Sequence, residues 1–202
     1  MEVEKDEEYW RKKLSYYLGF EVFQRVGESW RKMYENIIKA KKNPYKIIEL
    51  DYAEILGGLI RHGFDPSDNE NRPIVMASHF NALKSVKLLL KDPRVDPSAN
   101  DNLPIERAVA NNNLKIFKLL LANPRVNPNQ IDKKVSYRGY RNVNPEIAKL
   151  LISHPTAKPY IYKSSDFLEC ADPELIRAVL RNPNIYNFLK HKTLEEMRKK
   201  IS

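Results

Sequence analysis

Lys87-Leu88-Leu89-Leu90-Lys91-Asp92-Pro93-Arg94-Val95-Asp96-Pro97 is followed by Lys118-Leu119-Leu120-Leu121-Ala122-Asn123-Pro124-Arg125-Val126-Asn127-Pro128, nearly the same run 31 residues on (118 − 87 = 31). The register extends in both directions. Asp65-Pro66 stands one period before Asp96-Pro97, and Lys149-Leu150-Leu151-Ile152 with His154-Pro155 continues the series downstream. A period of this length means a solenoid or array, because each unit can bury its apolar face only against its neighbours.

Each repeat reads as two short helices, since apolar residues recur at helical spacing and prolines fall where a helix must end. In the 96–126 repeat Asn102 is placed to cap a first helix, with Pro104 in its first turn, where the missing N–H costs nothing. Ile105 and Ala108 face inward together. Asn112, like Asn81 one repeat earlier, lies between the helices at a point where a left-handed backbone suits asparagine better than a branched residue. The second helix is expected over Leu114 to Leu121. It stops at Asn123, because a residue before proline is pushed out of the α region.

A thirty-odd-residue helical hairpin with Pro-Ile opening its first helix and Val86-Lys87-Leu88-Leu89-Leu90 in its second resembles the ankyrin repeat. The resemblance covers residues 45–185, as repeats at 45–64 (degenerate), 65–95, 96–126, 127–157 and 158–185. Leu59-Ile60-Arg61-His62-Gly63-Phe64-Asp65-Pro66 is similar to the family's helix ending and places the degenerate repeat's start near Tyr45. The implied fold is an all-α, ankyrin-like helical-hairpin solenoid with shortened fingers and helical N- and C-terminal caps. The Asp-Pro-Arg-Val-Asp-Pro linker also resembles those of the large ankyrin families of giant DNA viruses.

The departures from the family pattern are specific. Arg72-Pro73-Ile74-Val75 and Leu103-Pro104-Ile105-Glu106 replace the usual Thr-Pro-Leu-His, so the threonine and histidine that tie that turn are missing. A period of 31 against about 33 trims residues between Ser98 and Pro104, which shortens or removes the β-turn finger. In the 127–157 repeat Ser136 and Gly139 replace Ile105 and Ala108, leaving its first helix loose, kinked or repacked around Tyr137 and Tyr140.

Residues 1–44 carry Trp10, Leu14, Tyr17 and Leu18 at helical spacing, a break around Gly27, and a second helix capped by Ser29 with Trp30, Met33, Tyr34, Ile37 and Ile38. They read as an N-terminal helical cap for the first repeat's apolar face. The run Tyr9-Trp10-Arg11, Gly19-Phe20 and Ser29-Trp30-Arg31-Lys32-Met33-Tyr34 also resembles the segment after an F-box, which implies a ubiquitin-ligase substrate adaptor. Residues 172–180 form a helix capped at Asp172, and 186–202 a C-terminal capping helix with Thr193 and Glu196 as its capping box.

The 202 residues are 42% hydrophobic and 30% charged, enough for one folded body, and the formal net charge of +9 favours acidic partners. The acidic start and the lack of a long apolar run point to an intracellular chain of cytoplasm or nucleus, with no signal peptide and no membrane span. Cys170, the single cysteine, reads as a small buried hydrophobe. His62, His79, His154 and His191 lack partners at metal-ligand spacing. Gly57-Gly58 sits in a helical pattern and reads as a close-packing site. The expectation is a chain that is no enzyme and needs no metal or cofactor.

Two surfaces remain. Lys87, Lys118 and Lys149 share one phase, as do Lys84 with Lys115 and Arg94 with Arg125, a ladder that also reads as ordinary solubilising surface. The family's concave-face positions fall on Met76, Arg107 and Arg138, on His79, Ala110 and Arg141, and on Phe80, Asn111 and Asn142. The resemblance thus implies a groove for a protein partner of acidic character, bound by Met76, His79, Phe80, Arg107, Asn111, Arg138 and Arg141. Lys133, Lys134, Tyr137 and Tyr140 form the alternative, a cationic and aromatic strip for nucleic acid; Tyr137 and Tyr140 also suit refilling of the core.

Overall fold

Asparagines in left-handed backbone and prolines at helix starts set the architecture. The structure is a computed structural model, and it describes residues 6–22, 29–40, 43–127, 144–154, 173–187, 189 and 191–201. The chain divides into an N-terminal half, Met1–Asp96, and a C-terminal half, Pro97–Ser202. The first holds α1 (Glu7–Leu18), α2 (Trp30–Ala40), α3 (Pro44–Glu49), α4 (Ala53–Arg61), α5 (Asp68–His79) and α6 (Leu83–Leu89). The second holds α7 (Ala99–Ala110), α8 (Leu114–Leu121), α9 (Pro145–Ser153), α10 (Pro173–Arg181), α11 (Pro183–Tyr186) and α12 (His191–Ile201). Among the described residues there is no strand; the fold is all-α.

In the N-terminal half α3 pairs with α4 and α5 with α6, and the hairpins stack α3 on α5 and α4 on α6. In the C-terminal half α7 pairs with α8, α8 touches α9, and α9 packs on α10. α8 has the bounds expected from sequence. Each hairpin turns on one left-handed residue: Asp51 (φ 53°), Asn81 (φ 60°) and Asn112 (φ 53°). The amide after it bonds back five residues, from Tyr52 to Ile47, Ala82 to Ala77 and Asn113 to Ala108, at 3.1, 2.8 and 2.8 Å. This is the helix-ending motif that usually needs glycine, here carried by short polar side chains that tolerate the left-handed region.

Where a finger would stand, three successive residues are left-handed. Asn69, Glu70 and Asn71 have φ of 49, 57 and 62°, and Asn100, Asp101 and Asn102 have φ of 52, 56 and 64°. The regular helix therefore starts at Arg72 in one repeat and Leu103 in the next. Asn102, expected as a helix cap, is buried, and its Oδ1 accepts the Asn127 N–H at 2.8 Å; Asn71 Oδ1 takes the Asp96 N–H at 2.7 Å. Each amide thus closes its own repeat to the linker 25 residues on, replacing the missing threonine and histidine tie.

A second set of side chains joins one hairpin to the next. Asn113 and Asn144 cap their own helices, accepting the Ile116 and Glu146 N–H groups. The equivalent position before α6 is Ala82, which has no acceptor. Asp51 of the preceding hairpin supplies it: Oδ1 accepts the Ser85 N–H at 2.8 Å and its Oγ–H at 2.9 Å, and Oδ2 accepts the Lys84 N–H at 3.2 Å. This explains why Ser85 is fully buried where Ile116 and Ile147 stand in later repeats. Asp51→Ala should lower stability by about 1–2 kcal/mol in a urea titration, and Asp51→Asn by less, since the amide keeps an acceptor.

At the N-terminus Asp6 caps α1 through the Tyr9 N–H (2.7 Å), and Gly19 (φ 79°) ends it. α1 therefore ends well before Gly27, which falls between α1 and α2 and lies outside the described residues. Ser29 Oγ caps α2 through the Lys32 N–H (3.2 Å), and Glu7 accepts the Trp30 N–H (2.8 Å), tying α1 to α2. Lys13 Nζ lies 5.7, 5.0 and 4.8 Å from the rings of Tyr9, Trp10 and Tyr34, a cation held by three aromatic rings across the same helix pair. α2 packs on α3, and Phe20 covers Gly58 so closely that a Cβ there would collide with the ring. The close-packing reading of this glycine pair holds at Gly58.

In the C-terminal half Ile152, Ile176, Val179, Ile185 and Met197 form one buried cluster, with Leu194 and Ile201 of α12 packed against it. α12 starts at His191. Thr193 is therefore inside the first turn and is not the cap. Asp172, Cys170 and the first helix expected in the 127–157 repeat lie outside the described residues.

Candidate partner-binding surface

The regular part of α5 begins at Arg72, after the left-handed turn, and is closed by Phe80, whose N–H donates to Met76 O at 2.9 Å. Ile74, Ala77 and Ser78 are buried, which turns Met76, His79 and Phe80 to the other side of the helix at spacings of three and four. Met76 is half-buried; His79 is exposed and Phe80 is 37% exposed. The His79 and Phe80 rings meet edge to face, centroids 4.9 Å apart. An aromatic this open at the end of a rigid helix is an anchor that a partner can desolvate.

The other end of α5 carries a cluster that sequence reading missed. Arg72 lies over the Tyr45 ring at 5.0 Å, and the Tyr45 hydroxyl donates to Asp68 at 2.6 Å. Burial, then the Asp68 bond, holds the Tyr45 phenol above its ordinary pKa. Tyr45 and Arg72 are far apart in sequence and share no motif, so only the stacking of α3 on α5 could reveal them.

In the C-terminal half Arg107 is half-buried on α7, and Ala110 and Asn111 are exposed at its end. The Asn111 N–H bonds to Arg107 O at 3.1 Å. Arg138, Arg141 and Asn142 lie outside the described residues, as do Lys133, Lys134, Tyr137 and Tyr140.

On the second helices Lys84 and Lys87 of the N-terminal half and Lys115, Lys118 and Lys149 of the C-terminal half are all exposed. Arg94 is not part of a free ladder, because Asp92 holds it at 2.8 Å and the guanidinium bond pulls the Asp92 carboxyl below its ordinary pKa. The next repeat has Asn123 in that place, and its Oδ1 accepts the Arg125 backbone N–H at 3.1 Å.

His62 stacks on Phe20 (5.1 Å between ring centroids), and His79 meets Phe80. Among the described residues no three His, Cys, Asp or Glu side chains converge as metal ligands would, and no helix is long and apolar enough to cross a membrane.

Residues 46–132 match the family model for ankyrin repeats, in three copies. Comparison with curated proteins and with solved structures gave no match.

Proposed function

We propose that this chain is a binding module for an acidic protein partner, since residues 46–132 match the model of ankyrin repeats, a family that mediates protein–protein interactions and is typically non-catalytic. The partner docks on the exposed face of the repeats' first helices. Met76, His79 and Phe80 serve in the N-terminal half, and Arg107, Asn111, Arg138 and Arg141 in the C-terminal half. The observation that carries the reading is Phe80, open to solvent, braced edge-on by His79 and adjoining Met76 on a helix whose other side is buried. Aromatic and arginine side chains supply most of the binding energy in interfaces. Helices already folded spare most of the ordering cost. The net charge of +9 favours an acidic surface opposite them.

The test is a pull-down from the native host with three variants beside the unaltered chain. Arg107→Glu/Arg138→Glu/Arg141→Glu and Met76→Ala/Phe80→Ala should each reduce the captured partner by on the order of tenfold or more. Lys84→Glu/Lys87→Glu, on the second-helix face, should leave capture intact. Equal capture by all baits would remove the basis for this surface.

A further inference from the structure

The C-terminal half holds a cleft of about 430 Å³ lined by α9, by α10 and by the residues that follow α10. Two of its polar groups are committed elsewhere. Glu174 pairs with Arg177 at 2.7 Å, and Asn182 Nδ2 donates to Ile152 O at 2.6 Å. Lys149, Ser153 and Arg181 also line the cleft, and among the described residues their side chains have no hydrogen bond or ion pair. Ala178 and Pro183 give it apolar wall. Glu174 is neutralised by Arg177, so among the described residues the cleft keeps two uncompensated positive charges beside an unused hydroxyl.

That inventory selects a ligand. A carboxylate side chain would answer one of the two charges, whereas a phosphomonoester carries about −1.5 to −2 at neutral pH and offers three acceptor oxygens. Arginine binds such oxygens with two parallel N–H groups, lysine acts as a point charge, and the serine hydroxyl donates a third bond. Among the described residues the lining contains no aromatic ring on which a base could stack, which disfavours single-stranded nucleic acid. Lys118, in the phase of Lys149 one repeat earlier and likewise without a side-chain partner among the described residues, stands on α8, which touches α9. Positive surface therefore continues beyond the cleft for a segment to follow.

We propose that this cleft is a phosphoserine or phosphothreonine site for a partner segment, with Lys149 and Arg181 as counter-charges and Ser153 as hydroxyl donor. It extends the protein-partner reading to a modified partner. The probe below is a single residue, so its failure and the failure of the pull-down are separate results.

The test is a titration of the ¹⁵N-labelled full chain with N-acetyl-O-phosphoserine methylamide, followed by NMR. The expected result is saturable shifts at the amides of Ser153, Ala178 and Arg181, absent with the unphosphorylated analogue. Lys149→Ala/Arg181→Ala should weaken the binding by about tenfold or more, and Arg181→Lys by less. Both positions are exposed, and far-UV circular dichroism confirms folding. Inorganic phosphate, lacking the atoms that meet Ala178 and Pro183, should bind more weakly. Shifts confined to other residues, phosphate binding equal to the phosphoserine probe, or an oligothymidylate that occupies the cleft when phosphoserine does not would each overturn the assignment.

Discussion

Phe117→Ala lowers the stability of the chain by about 3–5 kcal/mol, with a melting temperature roughly 6–20 °C below the unaltered protein. Phe117 is fully buried in α8, the largest such side chain described. Its neighbours on the helix fix its direction: Ile116 and Leu120 are buried with it, and Lys115 and Lys118 are exposed. Removing the ring costs its transfer out of water and leaves a cavity that short helices, pinned by caps at Asn113 and Asn144, cannot close. Lys118→Ala one position on should stay within about 0.5 kcal/mol. Thermal and urea unfolding followed by circular dichroism reads both. If the two variants melt together, α8 does not pack as described.

The second large effect is expected at Asn102, and its parts can be separated. Asn102→Ala places a Cβ without a polar group in a left-handed backbone, which costs about 1–2 kcal/mol. It also deprives the Asn127 N–H of its acceptor, at about 1–3 kcal/mol. A loss of about 2–5 kcal/mol in urea unfolding follows. Asn102→Gly keeps the backbone cheap and loses only the side-chain bond, so it should recover about 1 kcal/mol or more relative to Ala. If glycine is no better than alanine, the left-handed turn is not what asparagine is there to hold.

Much of this fold was legible in one sequence because a repeat is read several times over. The hairpin turns at Asn81 and Asn112 and the bounds of α8 follow from proline spacing and from the residues that tolerate left-handed backbone. The role of Asn102 did not follow. An asparagine before a helix looks like a cap, and only the loss of the finger, with three residues wound left-handed, sends its side chain to the linker instead. Asp51 was equally hidden, since a deficiency at Ala82 is met by a residue from the previous hairpin. At the candidate surface Met76, His79, Phe80 and Arg107 come from the concave-face positions that the ankyrin resemblance implies. Tyr45 and Arg72, which meet only through packing, escaped it.

In the 65–95 and 96–126 repeats the 31-residue period is held by Asn71 and Asn102, whose side chains reach from the start of the first helix to the linker that ends the repeat. Amide hydrogen exchange at Asp96 and Asn127 tests it most directly. Both N–H groups stand in loop, next to proline and outside any helix, where exchange would ordinarily be fast. Bonded to Asn71 and Asn102 at 2.7 and 2.8 Å, they should be protected at least about 100-fold, in the range of neighbouring helix amides. Exchange of both at the free-peptide rate, with the helices still protected, would contradict the account.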